Sequence, residues 1–182
     1  SKALQKELGQ NGSDRITALT LFRDNIPPLS VLGAALGNRV IPGKIQVGDL
    51  RPECRQWGTG EADVSSLMEW SYLTRREDCE DHQENHSMIA TSEVLKAGTV
   101  LRGGIDVCNH ATEIERGCIG RGIELLTRHG YLGAESRRGL GRVVIEAENV
   151  PSPEVYDEFL AENRDGILSY LEAIGAYTPC TP

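Results

Sequence analysis

The sequence predicts an α+β fold built on a ferredoxin-like (RRM-like) antiparallel sheet with helices on one face. Residues 99–107 are predicted to form one strand, and residues 142–148 another. Between them, Thr112 and Glu115 stand at capping-box spacing and open a helix that covers residues 113–128 with a broad apolar stripe. A strand, a helix, a loop and a strand make up half of a βαββαβ unit. We therefore expect both strands in one sheet, with the helix packed on a face.

The rest of the chain supplies further elements and one long interruption. Residues 29–36 predict a short apolar helix, and residues 44–50 alternate apolar and polar side chains like a half-buried strand. Residues 52–93 show no strong periodicity, which indicates a long insertion, and residues 153–174 predict an acidic amphipathic helix or helix pair. The predicted parts are an RRM-like domain (1–51 and 94–150), an insertion (52–93) and an acidic helical C-terminal tail (151–182).

Charge is distributed unevenly along the chain. The formal net charge is −8, whereas a nucleic-acid-binding protein usually carries a basic face. From Arg102 to Arg142, however, seven arginines stand against five acidic residues, and acidic residues concentrate instead over residues 77–84 and 146–165. The distribution of charge therefore matters more than the sum.

The sequence shows no signal for a membrane or for export. No apolar run approaches the roughly 18 residues that a membrane span requires, and no cationic stretch leads into an apolar segment as in a signal peptide. The five cysteines are scattered and include no C-x-x-C pair, a pattern that favours reduced thiols. We therefore expect a cytoplasmic protein without a membrane partner.

A glycine-rich loop before the predicted strand 142–148 is the segment best suited to binding phosphate. Glycine permits positive φ and close approach of the backbone, so successive N–H groups can point at one phosphate. Arginine adds charge-assisted, often bidentate hydrogen bonds, and serine adds a hydroxyl. The same composition also suits an ordinary turn with solvated charges, and no lysine follows the last glycine as in a P-loop. The candidate residues are Gly133, Ser136, Arg137, Arg138, Gly139, Gly141 and Arg142.

Three segments resemble the CRISPR-associated RAMP superfamily, the ferredoxin-like subunits of CRISPR effector complexes. Residues 131–144, YLGAESRRGLGRVV, resemble the glycine-rich loop that defines the family. Residues 29–50 resemble its segment of a small helix, a glycine, a variable loop and a strand ending in Asp, here Asp49. Residues 71–107 resemble the stretch in which backbone subunits carry a thumb-like insertion. Within the family, the run TRRED at residues 74–78 is most similar to the type IV backbone subunit, and next to the type III one.

This resemblance implies a non-catalytic backbone subunit of a CRISPR ribonucleoprotein complex in antiviral defence. Such a subunit binds the sugar-phosphate backbone of the CRISPR RNA and leaves the bases free to pair with a target nucleic acid. It also multimerises head to tail into a helical filament and contacts other effector subunits. The resemblance adds Arg75 and Arg76 to the predicted RNA-binding residues. Type III relatives cleave RNA with an Asp in the N-terminal half, but no position here matches it, so no catalytic residue and no cofactor are expected.

Other interpretations stay open from the sequence. A RAMP-family endoribonuclease would process or cleave RNA and needs a general base such as histidine near the phosphodiester. A protein-binding module on the same fold would not bind RNA. Metal-compatible spacing occurs at Cys79, His82 and His86, but a fourth ligand is not evident nearby, so a solvated acidic loop is favoured. Aromatic residues that could either stack on bases or pack within the insertion are Trp57, Trp70 and Tyr72.

Overall fold

A computed structural model of the chain describes residues 24–36, 39–73, 90–133 and 139–173. Over these residues the protein is mixed α+β, with four α-helices and small two-stranded sheets. By its internal contacts the chain divides into two compact units, Ser1–Gln46 with Asp106–Pro182 and Val47–Ile105. None of the described helices is long and apolar enough to cross a membrane.

The described elements are short except for one helix. Two prolines start the first helix, where their fixed φ suits the first turn. In chain order the elements are α1 (Pro27–Leu32), β1 (Gly33–Leu36), β2 (Arg39–Pro42), β3 (Ile45–Val47), β4 (Arg51–Pro52), β5 (Met68–Leu73), β6 (Ala90–Leu95), β7 (Leu101–Arg102), β8 (Ile105–Val107), α2 (Glu113–His129), α3 (Glu154–Glu162) and α4 (Arg164–Ala173).

Helix α2 confirms the helix predicted from the capping-box spacing. The Thr112 hydroxyl accepts a hydrogen bond from the Glu115 backbone N–H, and the Glu115 carboxylate accepts one from the Thr112 backbone N–H at 2.8 Å. These two bonds satisfy donors that the first turn leaves without a helical partner. At the other end, Gly130 adopts a left-handed φ of 67° and donates its N–H to the Leu126 carbonyl at 3.0 Å. The predicted acidic helix pair is also present, as α3 and α4.

The core of the first unit forms around the N-terminal half of α2. Cys118 and Ile119 are buried there against Val31 of α1 and Tyr156 of α3. Half-buried apolar side chains from the strand pair β3–β8 and from both helices complete the cluster. Because the C-terminal half of α2 is mostly exposed, the helix runs from the core to the surface. Packed against the cluster are Ile45, Val107, Ile114, Ile123, Phe159 and Leu160.

A buried carboxylate ties three separate parts of this unit together. Glu115 is 0% exposed. Its carboxylate accepts hydrogen bonds from the Ser30 hydroxyl at 2.6 Å, from the Lys44 ammonium at 2.8 Å to both oxygens, and from Thr112. Burial by itself raises the pKa of Glu115, but the bonds from Lys44, Ser30 and Thr112, with the charge of Lys44, lower the pKa below its ordinary value. Glu115 is therefore held as an anion.

The second unit consists of antiparallel strand pairs and a short segment that connects them. Strand β4 pairs with β7, with Arg51 opposite Arg102, and β5 pairs with β6 from Met68 opposite Leu95 onward. Two short 3-10 helices, Arg55–Trp57 and Val64–Leu67, lie between β4 and β5. The predicted insertion therefore contains regular structure. Strands β5 and β6 pair although they are distant in the sequence, and local periodicity alone did not reveal them.

The structure corrects three of the predicted elements, and with them the prediction of one sheet. The predicted strand 99–107 is two short strands, β7 and β8, which pair with β4 and β3 in separate sheets. Residues 142–148 form no strand and pair only through an isolated bridge at Arg142. Part of the predicted helix 29–36 is strand β1. A strand requires a partner edge as well as a pattern. Beyond the bridge at Arg142, residues 142–148 pair with no described strand, and Val144 is 92% exposed.

We expect Glu115→Gln to lower the free energy of unfolding by about 3 kcal/mol, because it leaves the Lys44 ammonium without its buried counter-charge. Since the folded pKa of Glu115 is lowered, its stabilisation is present above about pH 4.5 and is lost as pH falls through the folded value. The difference between variant and parent should therefore shrink in acid. Urea titrations at several pH values measure it, with the exposed Glu113→Gln as control. A pH-independent difference would contradict the prediction.

Two glycines in α2 provide a matched pair for testing helix packing. A Cβ at Gly120 would lie 2.1 Å from the Pro151 carbonyl oxygen, whereas a Cβ at Gly122 meets nothing within 4 Å. Gly120→Ala should destabilise the protein by about 1–3 kcal/mol through this clash. Gly122→Ala should stabilise it by about 0.5–1 kcal/mol, because alanine favours the helix. Thermal unfolding of the two variants decides the point, and equal effects would contradict it.

Candidate nucleic-acid interface

The glycine-rich loop is closed at its base by backbone hydrogen bonds. Tyr131 and Arg142 form an antiparallel bridge directly after helix α2. The Leu132 N–H donates to the Gly141 carbonyl at 2.8 Å, and the Val143 N–H donates to the Gly130 carbonyl at 2.8 Å. The two ends of the loop are thereby held side by side by backbone hydrogen bonds.

Glycines hold the loop in conformations that other residues rarely adopt. Gly133, Gly139 and Gly141 have φ values of 90°, 80° and 75°, as the composition predicted. At Gly141 the backbone also passes so close that a Cβ would lie 2.0 Å from the Leu132 carbonyl oxygen. At Gly133 and Gly139 the added Cβ would meet nothing within 4 Å. Gly141 therefore closes the base, while the other two leave the backbone open to an approaching group.

Arg142 is exposed at this base and has no carboxylate partner among the described residues. Arg51, Arg55, Arg102 and Arg121 all lie within ion-pair distance of an Asp or Glu side chain. In a chain of net charge −8, an arginine without such a partner is well suited to an external anion. Arg116, Arg128 and Arg164 likewise have no carboxylate partner among the described residues.

Only some of the predicted binding residues lie within the described part of the chain. Gly133, Gly139, Gly141 and Arg142 belong to the described loop, and the structure brings Gly141 and Arg142 against Leu132 and Tyr131. The remaining predicted residues lie outside the described residues. These are Ser136, Arg137, Arg138, Arg75 and Arg76.

Sequence reasoning gave little weight to the residues on the helix side of the loop. The rings of His129 and Tyr131 meet edge to face, with centroids 5.7 Å apart and an interplanar angle of 61°. Arg128 and His129 are exposed in the last turn of α2, and Tyr131 is half-buried. Their position immediately before the loop was the available signal, but each residue alone suits the end of a helix, where cations favour the dipole.

The competing candidates have different surroundings. Trp70 and Tyr72 are 61% and 67% exposed and share one face of β5, so they do not pack within the described insertion. Cys79, His82 and His86 lie outside the described residues. Among the residues that are described, no group of three or more His, Cys, Asp or Glu could hold a metal ion.

The buried thiol of Cys118 is not an activated nucleophile. Burial raises the pKa of Cys118, and the negative charge of Glu115 raises it further against the opposing hydrogen bond with Tyr156. Burial, together with Cys118, raises the pKa of Tyr156 to about 12. Both groups therefore keep their protons at neutral pH and serve the core.

An open groove of about 320 Å³ lies beside the strand pair β3–β8. It is lined by residues 43–46 and 106–108. The Lys44 ammonium in its wall is already bound by both oxygens of Glu115, so the groove offers no uncommitted cation to an anionic ligand. The glycine-rich loop remains the stronger candidate for binding.

Comparison with known proteins identifies no family for the chain. No protein-family model matches the chain, and none of the curated proteins matches it significantly.

Gly141→Ala should open the base of the loop, because its Cβ collides with the Leu132 carbonyl, whereas Gly139→Ala should leave the base closed. Both replacements strain a positive φ, so the pair isolates the collision. Hydrogen exchange at the Leu132 and Val143 amides, which close the base, should accelerate only in Gly141→Ala. Equal exchange in both variants would show that Gly141 has no special part in closure.

Proposed function

We propose that the chain is a non-catalytic backbone subunit of a CRISPR ribonucleoprotein effector complex in the cytoplasm of a prokaryotic cell. It would bind the sugar-phosphate backbone of the guide RNA through the loop 133–142. The glycines allow the backbone N–H groups to approach a phosphate, and the arginines supply charge-assisted hydrogen bonds. Because such contacts involve no base edges, the guide stays free to pair with its target.

The observation that carries this proposal is the base of the loop. Three glycines at positive φ stand in a loop with a closed base, and Arg142 is exposed there with no carboxylate partner in the described part of the chain. An ordinary turn needs neither a cation without a partner nor a backbone open at two glycines. The segment that resembles the RAMP family's defining loop is therefore also the one with the surroundings of an anion site.

The finer structural expectations belong to the same proposal. A ferredoxin-like (RRM-like) arrangement is the finer form that we propose for the mixed α+β fold. The β5–β6 pair would be the thumb-like insertion of a backbone subunit. Copies would repeat head to tail along one RNA, as heterologous interfaces do when the rotation does not close, and would contact other effector subunits. The type IV complex is the most similar setting, and type III the next.

The Arg137→Ala/Arg138→Ala double variant should weaken binding to all single-stranded RNA sequences to a similar degree. Phosphate contacts carry no sequence information, and each one lost should make the slope of log affinity against log salt shallower by roughly 0.7. Fluorescence anisotropy across a salt series measures both quantities, on variants shown by circular dichroism to be folded.

The matched control is Arg55→Ala/Arg164→Ala, which removes the same charge from residues outside the loop. Arg55 is already engaged by Asp63 and by the Glu61 carbonyl. The control should keep the parent slope. An unchanged affinity and slope in the loop variant would overturn the proposal, and RNA fragments on a denaturing gel would favour the endoribonuclease instead.

A further inference from the structure

We infer that Arg142 at the base of the loop is one half of a nucleotide site, and that the last turn of α2 is the other half. In this site Arg128 binds a second phosphate, and the ring pair of His129 and Tyr131 stacks on the base between the two phosphates. The inference rests on the proposed function, since it takes single-stranded RNA as the ligand, but it assigns residues outside the predicted loop.

The geometry brings these residues to one place. Helix α2 ends at His129, and Gly130 turns the chain in the left-handed conformation. Tyr131 then pairs with Arg142 across the base of the loop, and the Gly130 carbonyl receives the Val143 N–H. The last turn of the helix and the end of the loop are therefore neighbours through backbone hydrogen bonds, although Arg128 and Arg142 are fourteen residues apart.

The charges point to an anion at this place. Arg128 and Arg142 are both exposed, and neither has a carboxylate partner among the described residues. The helix dipole favours Arg128 at the C-terminus of α2, but it gives no reason for Arg142, which follows the loop. Two exposed arginines on neighbouring backbone segments can both contribute to binding one anionic chain, because each guanidinium donates charge-assisted hydrogen bonds to a phosphate.

The ring pair of His129 and Tyr131 provides the aromatic surface that binding of a single strand requires in addition to cations. Single-strand binders combine a basic track with aromatic faces on which bases stack. His129 is exposed and meets Tyr131 edge to face at 5.7 Å. Tyr131 stands opposite Arg142 in the antiparallel bridge, so its ring is placed where the base attached to a phosphate on Arg142 would lie.

The test separates the two contributions by their salt dependence. Binding of a fluorescein-labelled single-stranded oligouridine is followed across a salt series. Arg128→Ala should make the slope shallower by roughly 0.7, as one phosphate contact is lost. His129→Ala and Tyr131→Leu should weaken binding about tenfold with the slope unchanged, because stacking releases no counterions. Tyr131→Phe keeps the ring and should bind like the parent.

The control and the contrary outcomes are equally specific. Arg164→Ala removes an exposed arginine without a carboxylate partner from α4 and should alter neither quantity. Parent-like binding in both Arg128→Ala and His129→Ala, with Arg142→Ala impaired, would overturn the nucleotide site and leave the proposed function standing. A lower melting temperature in Arg128→Ala with parent-like RNA binding would reduce Arg128 to a dipole partner. A parent chain that binds no RNA would remove the proposed function and this inference together.

Discussion

The buried carboxylate of Glu115 is the interaction on which the first unit depends. An ion removed from water is strongly destabilising unless its partners replace the lost hydration, and here Ser30, Lys44 and Thr112 do so within 3.1 Å. These donors come from α1, from the residue before β3 and from the N-cap of α2. Holding the charge therefore fixes the start of α2 against both neighbours. Since α2 ends at the loop, this junction also determines where the candidate interface stands.

The sequence revealed the local half of this junction but not the distant half. Thr112 and Glu115 are three residues apart, and their capping box was predictable from spacing alone. Ser30 and Lys44 lie 85 and 71 residues away from Glu115, and no periodicity connects them to it. The strand predictions were wrong for the same reason, because strand pairing also depends on residues that are distant in the sequence. Residues 142–148 have a strand-like pattern, but a strand also requires a partner edge, and none of the described strands pairs with this segment.

At the candidate site, the backbone conformation of the glycines could be predicted from the sequence, but the full set of residues that meet there could not. Positive φ at Gly133, Gly139 and Gly141 follows from the residue type, and the structure confirms it. The neighbours His129 and Tyr131 were not assigned to the loop, because the distance between their rings depends on the left-handed turn at Gly130. Gly120 is a similar case. A glycine inside a helix is unfavourable by propensity, and only the approach of the Pro151 carbonyl explains its presence.

The overall acidity of the chain has a consequence for how such a subunit would act. With a net charge of −8, the chain as a whole repels a polyanion, so under the proposed function the RNA would bind only at the loop and at the arginines beside it. A few phosphate contacts give only weak binding at physiological salt, on the order of 10⁻⁴–10⁻⁶ M for non-specific complexes. Tight binding then requires copies that hold the same strand and one another, because linked contacts add avidity without new chemistry at each site. Under the proposed function, weak single sites and head-to-tail assembly therefore belong together: the acidity of the chain weakens binding by a single copy, and the filament restores affinity along one guide.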